Sequence, residues 1–258
     1  MEEIFKIDQD SKKVSIIVPS YNSADTIVQT VKSILSQTHR DFEILIIDDG
    51  SVDSSAQVLA ELEAKNSEIK VLYHRENLGV STARNTGVIN STGRFVAFCD
   101  SDDLWYPSKL TKQITHMLKM NCAISFTAYD IIDYKGVRLG TKYLTKCTPS
   151  YRDMLYMNYI GNSTVMIDRT HIESFSQPKM RHEDYATWLE LLRMKHSAFG
   201  LNEVLGAYRV HEGSLSSNKL KSAYWHFLVL HKWEALGLIN SLRFTIIGRL
   251  KLLFEKIK

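Results

Sequence analysis

The feature that most constrains this chain is a recurring unit: a short β-branched run, a polar turn, then an amphipathic helix. Val14-Ser-Ile-Ile-Val-Pro19 reads as a buried strand. Ser20-Tyr-Asn-Ser23 turns the chain, with Ser23 the expected helix N-cap, and Ile27, Val31, Ile34 and Leu35 form one apolar helical stripe. The unit repeats. Phe42–Ile47 is a second strand, Asp48–Asp53 a turn, and Asp53 the expected cap of a helix carrying Val58, Leu59 and Leu62. Lys70–Tyr73 is a third strand, followed by a helix from Gly79 to about Asn90. Arg94–Cys99 is a fourth, and Pro107 stands where a helix start tolerates proline, opening a helix to about Met120. Strands and helices alternating at this spacing imply βαβ crossovers and a parallel sheet covered on both faces. Such sheets bind ligands beyond the carboxyl ends of their strands. Here those ends are Pro19-Ser-Tyr-Asn22, Asp48-Asp-Gly-Ser51 and Asp100-Ser-Asp-Asp103.

After residue 121 the pattern changes. Ala123–Tyr129 reads as a strand and Asp133-Tyr-Lys-Gly136 as a hairpin turn, so some antiparallel pairing is expected. Helical periodicity marks 150–158 and 183–195, and from Leu220 onward only helices are expected. The organisation is thus a flexible lead-in over 1–12, one main α/β domain over 13–217 and a helical C-terminal extension over 218–258.

Composition narrows the class. A chain of 258 residues, 44 % apolar and 24 % charged, is an ordinary globular protein and no fibrous or disordered one. A net charge of +3 is too small for a dedicated nucleic-acid binder. Cys99, Cys122 and Cys147 have neither disulfide nor zinc spacing, which fits a reducing compartment. No apolar run reaches the ~18–20 residues of a membrane span, and the acidic N-terminus is unlike a signal peptide. The cytoplasm is the expected location.

The acidic turns carry the chemistry. Asp100, Asp102 and Asp103 repel one another, and a pair ~4 Å apart costs about 1 kcal/mol in water and more in a cleft. A divalent cation would reverse that penalty; helix capping is the bland alternative. Asp49 could accept hydrogen bonds from a nucleobase or ribose, or belong to a solvated turn. Arg84 could grip a phosphate bidentately, or be an ordinary surface arginine. Glu183 and Asp184 open an apolar-periodic helix, either as favourable N-terminal charges or as a general base at a cleft mouth. His211 offers a cationic or metal-binding group, or a plain loop histidine.

Taken together, Val18-Pro-Ser-Tyr-Asn22, Asp48-Asp-Gly-Ser51, Asn77-Leu-Gly79 through Ala83-Arg-Asn85, Asp100-Ser-Asp102-Asp103, Glu183-Asp184 and Tyr208-Arg-x-His211 closely resemble the inverting family 2 glycosyltransferases of GT-A fold over roughly 13–217. The resemblance implies a Rossmann-like α/β architecture, a mixed, mostly parallel sheet flanked by helices. It implies a nucleotide-sugar donor, most often a UDP-sugar, bound with Mn²⁺ or Mg²⁺. Pro19, Tyr21 and Asp49 would line the nucleoside pocket, with Asp49 facing the base; Arg84 would lie near the diphosphate, His211 near the metal or diphosphate, and Asp102 would contact the donor ribose or the metal with Asp100 and Asp103 beside it. Asp102 and Asp103 are the candidate metal ligands. Asp184 matches the catalytic base and Glu183 its neighbour. A single inverting displacement needs one base and no carboxylate nucleophile. The Gln-x-x-Arg-Trp motif of processive members is missing, so transfer of one sugar is expected. Asn162, Ser163 and the surroundings of Trp105 would shape donor choice.

The tail bears on the acceptor. Leu242, Ile246, Leu250, Leu253 and Ile257 share one helical face, with Arg243, Arg249, Lys251, Lys256 and Lys258 against a single acid, Glu255. Basic amphipathic helices lie in membrane interfaces, which suits a peripheral enzyme on the inner membrane face with a polyprenyl-diphosphate-linked saccharide acceptor, as in bacterial O-antigen or capsule assembly. Packing on the domain or in a homodimer is the alternative for this helix. Two other readings are weighed. An inert sugar-nucleotide-binding scaffold is disfavoured by intact Asp102 and Asp184. A sugar-nucleotide pyrophosphorylase would carry a Gly-rich loop where this chain has Pro19-Ser-Tyr-Asn22.

Overall fold

The computed structural model describes residue 8, residues 10–211 and residues 219–255, and side chains within these except at 219 and 253–255. Most of the expected lead-in and the last three residues of the tail lie outside that range. The chain runs β1 (Val14–Ser20), α1 (Ile27–Leu35), β2 (Phe42–Asp48), α2 (Ser55–Lys65), β3 (Ile69–Tyr73), α3 (Val80–Asn90), β4 (Phe95–Phe98), β5 (Leu104–Trp105) and α4 (Lys109–Met120). It continues with β6 (Ile124–Ile132), β7 (Arg138–Lys142), α5 (Tyr151–Met154), β8 (Met166–Asp168), α6 (Glu183–Arg193), β9 (Ala198–Arg209), α7 (Lys219–Leu228) and α8 (Leu238–Glu255), with a π-helical turn at Val229–Trp233.

Among the described residues one sheet has the order β3-β2-β1-β4-β8-β6-β9-β5, with β7 on β6. β1 lies between β2 and β4, all parallel, with Val14 beside both Phe42 and Phe95. All seven residues of β1 are buried, as a strand covered on both faces requires. Its side chains alternate between two cores. Ile17 joins Leu45, Ile47, Val96 and Phe98 on one face, while Ile16 and Val18 join Ile44, Ile46 and Phe95 on the other. β8 then runs antiparallel to β4 and β6, and β6 and β9 are parallel. The carboxyl ends of β1, β2, β4 and β9 therefore meet along one edge.

α3 lies unusually close to the sheet. A Cβ on Gly87 would fall 2.5 Å from Ile17 Cγ2 and 2.9 Å from Ile47 Cδ1, so only glycine permits this approach, and Arg84, one turn earlier, is carried beneath the strand ends.

Four expectations need correction. Ser23 does not cap α1, whose first residue is Ile27; the Ser23 hydroxyl is used by Ser20 Oγ at 2.6 Å and its carbonyl accepts Thr26 and Ile27 N–H. The helix expected over 150–158 is a single turn, Tyr151–Met154, with a Ser150–Asp153 capping box. β8 is too short to show any period. β9 was not expected as a strand because Asn202 and Glu203, its two exposed residues, interrupt the apolar pattern. The hairpin at 133–136, the helix opening at Glu183 and the helical tail are as the sequence implies within the described residues.

The extension packs in an uncommon way. α8 turns Ser241, Thr245 and Gly248 inward. A Cβ on Gly248 would lie 1.9 Å from the Tyr156 carbonyl oxygen, and Phe244 meets the Tyr156 ring edge-on at 4.9 Å. Its outward stripe is Leu238, Ile239, Leu242, Ile246 and Leu250, all exposed. Among the described residues no helix is long and apolar enough to cross a membrane.

Candidate active site

A cleft of about 1140 Å³ runs along the shared strand edge. Pro19, Tyr21, Asp49, Arg84, Asp100, Asp102, Asp103, Glu183 and Asp184 all line it, as do Asn162 and Ser163. His211 reaches its rim through Asp102.

The first wall is braced by its own polar groups. Asn22 N–H donates to Ser51 Oγ at 2.9 Å, Ser51 donates to Asp48, and Val52 N–H donates to Asn22 Oδ1 at 2.9 Å. Asp49 is buried. Its Oδ1 accepts Leu78 N–H at 3.0 Å and lies 2.7 Å from His74 Nδ1, while Oδ2 accepts Gly79 N–H at 2.8 Å. Its carboxylate thus fixes the loop entering α3, and a nucleobase would share oxygens already in use. Tyr21 stands on the lip, 47 % exposed.

Arg84 is the hinge-pin of the site. Nη2 donates to Asp100 Oδ1 at 2.7 Å, and Nη1 to Glu183 Oε1 at 2.7 Å and Gln177 Oε1 at 3.1 Å. Burial opposes its charge, but Asp100 and Glu183 more than offset that and raise its pKa above the ordinary arginine range. The sequence reading expected Arg84 near a diphosphate; the structure shows its two Nη groups joined to two carboxylates, at the end of β4 and the start of α6. Gln177, with no sequence signal of its own, completes this clamp and is itself held by Asn85, which accepts Gln177 N–H at 2.7 Å.

Asp100 N–H donates to Ser163 Oγ at 3.1 Å, and Asn162 Nδ2 donates to Asp100 Oδ1 at 3.3 Å. That turn is supported from below by Trp105, whose indole N–H donates to Ser163 O at 2.9 Å, and by Lys109, buried 4.3 Å from the Trp105 ring centroid. Burial pulls Lys109 down to about 7.

Asp102 is half-buried, with His211 Nε2 2.9 Å from its Oδ2. Burial, then the Asp100 charge, push its pKa up, and the His211 contact pulls it back. Asp103 is 1 % exposed. Its Oδ1 accepts Arg209 N–H at 2.9 Å, and its Oδ2 has no hydrogen-bond partner. Burial and the charges of Asp100 and Asp102 raise its pKa strongly.

Arg209, an overlooked residue, holds this acidic loop. It is 2 % exposed; Nε donates to Asp102 O at 2.7 Å, Nη1 to Asp133 O and Tyr134 O, and Nη2 to Gln29 Oε1. The Tyr-Arg-x-His run was its only sequence signal.

Asp184 follows His182, which adopts a left-handed φ of 59° to start α6. Burial, then the Glu183 charge, push Asp184 up to about 7, against the pull of Arg84. A carboxylate poised there can accept a proton near neutral pH. Beyond it the wall is Lys179, Arg181, His182, Ser222 and Trp225, so α7 of the extension is part of the cleft.

An open α/β sheet with an acidic loop at its switch edge and a half-buried carboxylate facing it has the architecture of a group-transferring α/β enzyme. The comparisons agree. TarS of S. aureus, solved with UDP-GlcNAc, superposes with a TM-score of 0.67 at 18 % identity over 86 % of this chain and 67 % of that one. The mannosyltransferase PcManGT of Pyrobaculum calidifontis, solved with GDP-Man and Mn²⁺, gives 0.65 at 18 % over 91 % and 73 %. The fold is GT-A. Residues 15–181 match the sequence model of glycosyl transferase family 2, and the chain belongs to that family and is a glycosyltransferase. TuaG of Bacillus subtilis (strain 168), named for teichuronic acid biosynthesis, is 41 % identical over 88 % of this chain and 91 % of its own length. WfgD of Escherichia coli, named a UDP-Glc:α-D-GlcNAc-diphosphoundecaprenol β-1,3-glucosyltransferase, is 38 % identical over 88 % and 87 %.

Proposed function

We propose that this chain transfers one hexose, with inversion, from a UDP-sugar to a hydroxyl of a polyprenyl-diphosphate-linked saccharide in bacterial surface-glycan assembly. The observation that carries the reading is the Arg84 clamp, which brings Asp184 and the Asp102–His211 pair to one cleft. Asp184 takes the proton of the acceptor hydroxyl on its carboxylate as that oxygen attacks the anomeric carbon. Arg84 holds Glu183 and Asp100 and so fixes where Asp184 stands. Tyr21, Pro19 and Asp49 hold the nucleoside. The α-linked donor then gives a β-linked product.

The residues fit a divalent cation. Asp102 and His211 supply an oxygen and an imidazole nitrogen, a donor pair suited to Mn²⁺, and Asp103 Oδ2 is a buried oxygen beside them with no hydrogen-bond partner. Among the described residues no three such side chains are gathered tightly enough to hold a metal alone, so diphosphate oxygens and water would complete the shell, as is usual for Mg²⁺-type sites. Bound there, the cation would stabilise charge on the leaving diphosphate.

The outward stripe of α8, with Arg243 and Lys251 beside it, supports peripheral contact with an anionic bilayer holding the acceptor; the side chains of Leu253 and Ile257 lie outside the described residues. The name of WfgD, with its diphosphoundecaprenol-linked acceptor, favours the same acceptor class. Thermal melting with UDP, GDP, dTDP and CMP, each with and without Mn²⁺, tests the donor assignment. A shift confined to UDP with Mn²⁺ and lost in Asp102→Ala is expected. A shift with another nucleotide reassigns the donor, and none overturns the reading.

A further inference from the structure

We infer that the cleft wall beyond Asp184 is an anion subsite for the acceptor, in which Arg181 beside Trp225 and Lys179 on the same wall take a phosphate or diphosphate group carried by the acceptor sugar, with the Arg249 charge behind Ser222; this rests on the transfer reading above. Arg181 lies with its guanidinium carbon 5.7 Å from the Trp225 ring centroid, and His182 meets the same ring edge-on at 5.6 Å. Arg249, on α8, donates through Nη2 to Ser222 Oγ at 3.2 Å, while its Nε is buried with no acceptor. After burial, its charge is the next cause holding His226 down to about 4, and it also lowers His182, which places that charge beside the cleft wall.

Among the described residues these cations have no carboxylate partner. Arg84, Arg94, Arg138 and Arg193 each sit on a carboxylate. Among the described residues Lys179, Arg181 and Arg249 make no ion pair. Two unpaired cations on the cleft wall, one of them at an aromatic face, with a third charge behind Ser222, form a site for an anion attached to a sugar: the ring's apolar face meets the indole and the charge meets guanidinium. Position decides which substrate brings it. The donor end of the cleft carries Asp100, Asp102 and Asp103, and repels any second anion. Arg181 precedes the base by three residues, so a sugar whose hydroxyl rests on Asp184 is within reach of the cations through its remaining substituents. The acceptor is then distinguished from a neutral glycan by the phosphate at its reducing end.

Titration calorimetry on the full chain tests this with two probes, a short-chain alkyl N-acetylglucosaminyl diphosphate and the matching alkyl N-acetylglucosaminide without phosphate. The diphosphate probe is expected to bind at least about tenfold more tightly. Lys179→Gln with Arg181→Gln, both exposed in the parent and tolerant of change, should erase that preference, leaving UDP affinity and the phosphate-free probe unaltered. Lys119→Gln, an exposed cation on α4 away from the cleft, should change neither. Equal affinities in the parent, or equal loss of both probes in the variant, would overturn the subsite. Loss of UDP affinity instead would give these cations to the donor and also overturn it. The probe comparison is read without nucleotide as well, so a failed UDP shift counts against the donor assignment and not against this one.

Discussion

The two halves of the sheet reach the cleft by different means. From β1 to β4 every crossover is a helix, the strands are parallel and buried, and each loop at the edge is tied to its neighbour by its own side chains. Asp49, Asn22 and Ser51 spend their hydrogen bonds locally. From β6 to β9 the sheet is mixed and bulged, and its contributions, Glu183, Asp184, Gln177 and His211, come from segments that meet only in three dimensions. The first side is braced by its own hydrogen bonds; the second depends on long-range partners, Arg84 above all. The comparison says where stability and activity separate.

It breaks most sharply at Arg84. Arg84→Met leaves Asp100 and Glu183 facing each other, and removing one partner of a buried pair costs about 3–5 kcal/mol; a large fall in melting temperature with complete loss of transfer is expected in calorimetry and assay. Arg84→Lys restores a charge but no fork, and should recover melting more than turnover.

Asp184→Asn separates the halves without breaking them. Turnover should fall about 10²–10⁴-fold while the UDP-induced melting shift stays. The carboxyl's pKa is raised on folding, so between about 4 and 7 the folded state holds a proton the unfolded chain releases, and stability declines as pH rises through that window. The Asn variant should therefore melt higher than the parent above pH 7. For the parent, kcat/KM should climb with pH up to about 7 and then level, a profile the assay reads directly.

Smaller effects sharpen the contrast within α8. Gly248→Ala drives a methyl into the Tyr156 carbonyl and should lower the melting temperature by several degrees. Ile246→Ser, on the opposite face, should stay within about 0.5 kcal/mol of the parent. It should nonetheless weaken sedimentation with anionic vesicles; unchanged sedimentation would remove the bilayer from the proposal.

The same contrast explains what could be read in advance. β1 to β4 are visible because each is a short, mostly apolar run with its turn beside it, and the carboxylates that close β2 and follow β4 come with them. The Asp184 position was legible as the start of a periodic helix. Its partner was not: Arg84 and Glu183 are 99 residues apart, and an arginine's destination is set by packing, here by a glycine one turn later. β9 hid because Asn202 and Glu203 interrupt its apolar run and most of its remaining residues are only partly buried or small. Gln177 and Trp225 carried no pattern at all, since their roles arise from where tertiary packing sets them.

The Arg84 bridge has a bearing on hybrid enzymes. A donor swap that transplants residues 13–120 from a relative would sever residue 84 from residues 177 and 183, the two places where the graft must be answered by its host. The seam of a working chimera is thus defined by a guanidinium and not by a loop: whichever parent supplies Arg84 must also supply, or be matched at, the short stretch from Gln177 to Asp184.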